Sequence, residues 1–205
     1  NDDILFGGVY KVAVAIQEPC IPIGVSGRHV HLSRQHLDAL FGAGYELKKM
    51  KDLSQPGQYA SEETVDIMTT KGAFTRVRIL GPVRKDTQIE LSLSDAVKLG
   101  INPPIRDSGN IAGSPGVVMV GPNGTITLDQ GVIVALRHIH MTPADAERFG
   151  VKDKDIVNVE CCGERAMTMG QVLVRVNEQF ALEMHVDTDE GNAACLKTGQ
   201  KVRIV

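Results

Sequence analysis

Four of the six histidines fall in two copies of one pattern, Arg28-His29-Val30-His31-Leu32-Ser33 and Arg137-His138-Ile139-His140-Met141-Thr142. In an extended strand successive side chains alternate faces, so His29 and His31 project together while Val30 points away, and His138 and His140 do the same around Ile139. Two imidazoles about 6.5–7 Å apart along one strand face can both reach a single metal ion. A lone His-x-His pair is as readily a polar core or surface feature. Two pairs, each beside an Arg and each ahead of a capped helix, point to metal.

A third imidazole, His185, lies on the strand expected in "ALEMHVD", followed by an acidic turn. A carboxylate is also available: Glu90 in "QIELSLS" alternates with Ile89 and Leu91, so it faces away from both and can complete a set beside one histidine pair. Three protein ligands per site leave open positions, the pattern of catalytic rather than structural zinc, although cobalt or nickel suits the same donors. His36 falls inside a helical stretch and reads as structural.

A net charge of -3 with mixed signs lacks the concentrated basic face that nucleic acid or an anionic membrane requires, so any anion must be held by a local site. Arg84 and Lys85 sit at a turn just before the Glu90 strand, and an Arg there can hold phosphate through two parallel hydrogen bonds. Lys51, Arg76 and Arg78 form a second candidate anion surface, with Arg76 and Arg78 expected on one strand face. The glycine-rich "SGNIAGSPG" lacks the spacing of a nucleotide-phosphate loop.

The elements that must position these residues are mostly strands. With 21 Gly, 9 Pro and no Trp in 205 residues, the chain alternates short Val/Ile-rich runs with turn signals. Ten strands are expected: "IPIGVS", "TVDIMTT", "TRVRILG", "QIELSLS", "GVVMVGP", "GTITLD", "DIVNVEC", "TMGQVLVRV", "ALEMHVD" and "KVRIV". Such a set suits small barrels or sandwiches, and Asn123-Gly124 marks a hairpin turn that uses the positive φ open to Gly. Ser33, Ser94 and Thr142 are the expected N-caps of three short helices, each ending at a Gly. The matching order of strand, Arg-His-x-His, cap and helix reads as a pseudo-repeat of two half-structures. Four cysteines without Cys-x-x-Cys spacing suit a reducing compartment, and no apolar run approaches the ~20 residues of a membrane span.

On "VSGRHVHLS", "RVRILGPVRKDTQIELS", "RDSGNIAGSPG" and "ALRHIHMTPADAE" the chain resembles the PduL-type phosphotransacylases, the phosphate propanoyltransferases of bacterial microcompartments, from about Ile21 to Val205. The resemblance implies interconversion of acyl-CoA (propanoyl or acetyl) plus phosphate with acyl phosphate plus CoA, on two β-barrels holding two zinc ions. It implies one zinc on His29, His31 and Glu90, the other on His138, His140 and His185, and phosphate on Arg84. It assigns coenzyme A contacts to Ser26, Lys51, Arg78, Leu80, His185 and Asn192. One barrel, residues 28–136, is expected as an insertion into a second built from 20–27 and 137–205, with 1–19 a separate N-terminal segment. A homodimer in the bacterial cytoplasm, inside a microcompartment with its shell or core proteins as partners, is the implied setting. Rival readings are a zinc hydrolase acting on thioesters and a scaffold in which zinc only joins two barrels.

Overall fold

The computed structural model describes residues 19–205, so the apolar stretch 1–18 lies outside the described residues. In chain order the strands are β1 Ile21–Ser26, β2 His29–His31, β3 Lys49–Asp52, β4 Tyr59–Met68, β5 Ala73–Gly81, β6 Gln88–Glu90, β7 Ile105–Arg106 and β8 Val118–Val120. They continue with β9 Thr125–Thr127, β10 Val132–Ala135, β11 His138–Met141, β12 Ile156–Cys161, β13 Met167–Val176, β14 Glu183–Asp187 and β15 Lys201–Ile204. Four short helices join them: α1 Arg34–Phe41, α2 Leu93–Leu99, α3 Pro143–Phe149 and α4 Thr188–Ala193.

The protein is mostly β, as expected. β1 and β11–β15 close into a six-stranded barrel in the order β1-β14-β11-β13-β12-β15, while β2–β10 form a curled, half-barrel sheet in the order β7-β10-β6-β2-β5-β4-β8-β9, with β3 on β4. Each half has its own apolar core. Val30 belongs to one core and Ile139 to the other, and both are fully buried. Burying the central residue of each His-x-His leaves its two histidines no choice but the opposite face.

The expected strands are present, several of them shorter or longer than their sequence runs, and the structure adds others. β3, "KMKD", is exposed throughout, so it has no buried face to read; β7 has two residues; β10, "VIVA", is an almost wholly buried apolar run without a period. A further irregularity falls at Arg76, which with Arg78 flanks the buried Val77. Arg76 adopts φ 56° at an irregularity between β4 and β5, its N–H bonded to Asp66 Oδ1 at 2.8 Å, and the burial phase of β5 shifts there. Gln171 in β13 repeats the feature with φ 55° beside the register shift of β12 and β13.

Ser33 and Thr142 cap α1 and α3 as expected, but α2 is capped by Ser92 rather than Ser94. The Ser92 hydroxyl accepts the Asp95 N–H at 3.3 Å, the spacing a cap needs, whereas the Ser94 N–H is bonded to Asp189 Oδ2 at 2.8 Å. The acidic turn after His185 is itself a helix, α4, closed by a capping box of Asp187 and Glu190. The Asn123-Gly124 turn joins β8 to β9, yet neither residue has positive φ. Gly124 is required for space: a Cβ would lie 2.4 Å from the Ala39 carbonyl oxygen. Asn123 closes the end of α1, its N–H and side-chain amide donating to the carbonyls of Leu40 (3.0 Å) and Phe41 (2.8 Å).

Candidate metal centre and anion cleft

β2 lies between β5 and β6, parallel to the first and antiparallel to the second, so that His29 sits opposite Glu90. His29 Nδ1 is bonded to the Gly27 carbonyl at 2.9 Å, which turns Nε2 inward, 3.4 Å from Glu90 Oε2. The His29 and His31 ring centroids are 5.0 Å apart. In the barrel, β11 lies between β13 and β14 with His138 opposite His185. His138 Nδ1 is bonded to the Leu136 carbonyl at 2.8 Å, and the three rings of His138, His140 and His185 have centroids 4.6–5.2 Å apart.

The repeat therefore extends beyond the histidine pairs to the third ligand, where sequence similarity is absent. Glu90 and His185 hold equivalent register positions, and each is followed by a capped helix whose N3 carboxylate binds the arginine of its own pattern. Arg28 pairs with Asp95 through two bonds of 2.6 and 2.9 Å, and Arg137 with Glu190 at 2.8 Å. These arginines serve as struts between strand and helix.

In each set the candidate donor atoms lie within 4.8 Å of one another. Tetrahedral zinc with bonds of 2.0–2.1 Å places neighbouring donors about 3.4 Å apart, the separation of His29 Nε2 from Glu90 Oε2. The buried Nδ1 atoms of His31 and His140 have no hydrogen-bond partner, an expensive condition that cations bound at those two nitrogens would relieve. The residues present thus fit two divalent ions.

Burial shapes the electrostatics of both sets. It pushes His138 down to about 4 and His140 to about 2, with neighbouring imidazoles adding to the effect, and it holds His31 well below the ordinary value. Burial alone would lower His29 and raise Glu90, but their mutual attraction wins and moves each the other way. Three imidazoles are therefore neutral donors near pH 7, ready for metal without losing a proton. A consequence can be checked on metal-free protein. Across pH 6.5 to 4 the unfolded chain binds protons at His31, His138 and His140 that the folded chain refuses, so stability should fall with acidification by about 1–3 kcal/mol. His29 opposes this, its raised value making its own contribution present at low pH and lost as pH rises, but it is one against three. Chelated protein melted at constant ionic strength should have a lower Tm at pH 5 than at pH 7; an equal or higher Tm would contradict the assignment of neutral imidazoles.

Both sets open onto one cleft of about 690 Å³ between the barrel and the half-barrel. Of the residues singled out in the sequence, the cleft gathers Ser26, His29, His31, Lys51, Arg78, Leu80, Arg84, Glu90, His138, His140 and His185. Arg76, Lys85 and Asn192 are exposed and lie outside its lining, Asn192 on α4. His36 is bonded through Nδ1 to Thr87 Oγ1 at 2.7 Å, in keeping with a structural role. The glycine-rich loop contributes Ser108 and Gly109, and the Gly109 N–H is bonded to Gln88 Oε1 rather than left for an anion.

Arg84 lines the same cleft, and its Nη1 donates to Ser108 Oγ at 3.3 Å. Burial and the charge of Arg175 lower it from the ordinary arginine value while Glu90 opposes them; it stays charged at any physiological pH. Sequence reasoning missed Arg175, which stands opposite His140 in β13, lines the cleft and pairs with Asp107 at 3.4 Å. Its signal was the alternation of "LVRV", where it faces as His140 does. Lys51, Arg28, Arg78, Arg84 and Arg175 against Asp52, Glu90 and Glu183 make the cleft locally basic on a chain whose net charge is negative.

Comparison with known proteins agrees with this geometry. A family model described as phosphate propanoyltransferase matches residues 22–197. Among similar curated proteins, the phosphate propanoyltransferase of Thermotoga maritima is 60% identical, covering 97% of this chain and 97% of its own. Those of Lachnoclostridium phytofermentans and Rhodopseudomonas palustris are 55% and 51% identical, each over 90% of this chain and over 87% and 81% of their own lengths. No helix among the described residues is long and apolar enough to cross a membrane. With residues 22–197 matched, all six candidate ligands among them, the chain belongs to the phosphate propanoyltransferase family and is an enzyme of the phosphotransacylase class.

Proposed function

We propose that the protein interconverts propanoyl-CoA or acetyl-CoA plus phosphate with the acyl phosphate plus CoA, using two zinc ions, one on His29, His31 and Glu90 and the other on His138, His140 and His185. The observation that carries this reading is that both three-donor sets share one basic cleft with Arg84. Bound zinc would supply Lewis-acid charge for a leaving thiolate and a developing oxyanion. The chain's own residues do the rest. Arg84 grips phosphate and directs one oxygen at the thioester carbonyl carbon; the new C–O bond forms, the C–S bond breaks, and the sulfur leaves with the electron pair. Phosphate is largely dianionic near neutral pH, so no side chain needs to remove a proton from it.

In this reading, by resemblance, coenzyme A lies along the cleft with its thiol toward Ser26 and His185 and its phosphates toward Arg78 and Lys51, passing Leu80. Arg78 is braced for this by donating Nη1 to the carbonyls of Ser61 (2.9 Å) and Glu62 (2.8 Å), which keeps its cationic head at the cleft wall. Asn192 completes the assignment by resemblance alone. The same resemblance supports a homodimer, a microcompartment setting and the division into an inserted domain, 28–136, and an enclosing one, 20–27 with 137–205; strand membership of the two sheets is in keeping with that division.

The deciding experiment follows thiol release from propanoyl-CoA by zinc-loaded protein with and without phosphate. Release that depends on phosphate and yields acyl phosphate is expected. Release without phosphate would make the protein a hydrolase, and no release in either case would leave the metal a purely structural role.

A further inference from the structure

In each half the residue two positions before the third ligand stands opposite the second histidine of the pair: Gln88 opposite His31, and Glu183 opposite His140. Both are buried. Gln88 Nε2 donates to Glu90 Oε1 at 2.6 Å, the oxygen that also accepts from Ser108 Oγ at 3.0 Å and lies 3.8 Å from His31 Nε2, while Oε2 faces His29. Glu183 Oε2 lies 2.7 Å from His185 Nε2, at ion-pair distance though off the line of a hydrogen bond. Each is itself held from a loop of the half-barrel. Gln88 Nε2 reaches Ser108 Oγ at 2.8 Å, and the Ser54 hydroxyl donates to Glu183 across the gap between the halves. Space is reserved for the Glu183 carboxylate as well, since a Cβ on Gly24 would come within 3.0 Å of it.

We propose that Gln88 and Glu183 are a matched pair of positioning residues, one behind each third ligand, with their polarity reversed to suit the ligand each one holds. A carboxylate ligand is steadied by a donor on its second oxygen, which an amide provides. An imidazole ligand is steadied by an acceptor for its other ring N–H, which a carboxylate provides. Each half thereby owns one inward carboxylate: Glu90 as a ligand, and Glu183 one step behind a ligand. With the His185 Nε2–H turned onto the Glu183 carboxylate 2.7 Å away, Nδ1 is left as the ligand atom. The competing arrangement would put Glu183 on the ion directly. Its register counterpart argues against that, because Gln88 is an amide, outside the usual zinc donor set.

This inference rests on the two-zinc reading above, and its test separates the two. Metal-stripped wild type and Glu183→Gln are titrated with zinc against a chromophoric chelator, cobalt-substituted samples are scanned in the visible, and the stripped proteins are melted. Wild type should bind two ions. Glu183→Gln should keep both sites with one weakened about 10–100-fold, as loss of an outer partner does. Its cobalt bands should shift, and its stripped Tm should stay within about 2 °C of wild type. Gln88→Glu, which sets a second carboxylate against Glu90, should weaken the other site instead. Unchanged affinities, or a loss that tracks a fall in the stripped Tm, would overturn the proposal. So would a zinc-loaded crystal structure with a Glu183 oxygen within about 2.2 Å of the ion. A wild type that binds no zinc would overturn the two-zinc reading, and this proposal with it.

Discussion

His138→Ala should bring bound zinc down from about two ions per chain to about one and lower the rate of phosphate-dependent acyl transfer by at least about a hundredfold. The ring is the best fixed of its set: Nδ1 is tied to the Leu136 carbonyl, and the residue lies opposite His185 in the barrel. Without it, His140 and His185 offer two donors, too few to hold zinc against water. The His29, His31 and Glu90 set belongs to a different sheet and core, so its ion should stay. Elemental analysis beside a rate measurement checks both halves of the expectation. Full activity with one ion would remove the barrel's site from the chemistry, and active protein free of transition metal would remove both.

Arg84→Lys should weaken the apparent affinity for phosphate by about tenfold or more while the KM for acyl-CoA and the zinc content stay near wild type. The substitution keeps the charge and removes the planar fork, so the loss isolates bidentate recognition from attraction. Position makes Arg84 the residue for this test. Its backbone N–H is bonded to the Leu32 carbonyl at 2.9 Å, just past His31, which fixes where the side chain starts, and the Glu90 charge favours the charged guanidinium against its burial. Phosphate KM measured at saturating acyl-CoA is the readout. An unchanged value would move phosphate recognition to Arg175, which lines the cleft opposite His140.

How much of this was legible beforehand differs by residue. The two His-x-His pairs could be read because strand geometry is local: alternation puts His29 with His31 and His138 with His140 in any sheet, provided Val30 and Ile139 are buried. Glu90 was legible for the same reason, flanked by the buried Ile89 and Leu91. The irregularity at Arg76 was not legible, because nothing in "TRVRIL" announces a residue at positive φ. Ser94 was misread as a cap because two serines lie within reach of one helix start, and only the bond from the Asp95 N–H to the Ser92 hydroxyl chooses between them.

The sequence by itself determined which side chains share a strand face, and so the identity of two histidine pairs, their burial partners and the short capped helices after them. Those are consequences of periods of two and 3.6 residues, and they need no distant contact. Only the tertiary structure decided which third donor joins which pair. Register across antiparallel strands brings Glu90 to His29 and His185 to His138 over long stretches of chain, and no local periodicity encodes a pairing between distant strands. It likewise decided that both sets face one cleft, that Arg175 joins it, and that Ser54 and Asp107 reach across to the barrel. Those contacts exist because the half-barrel and the barrel pack with their histidine faces toward each other, and neither core alone would bring them together.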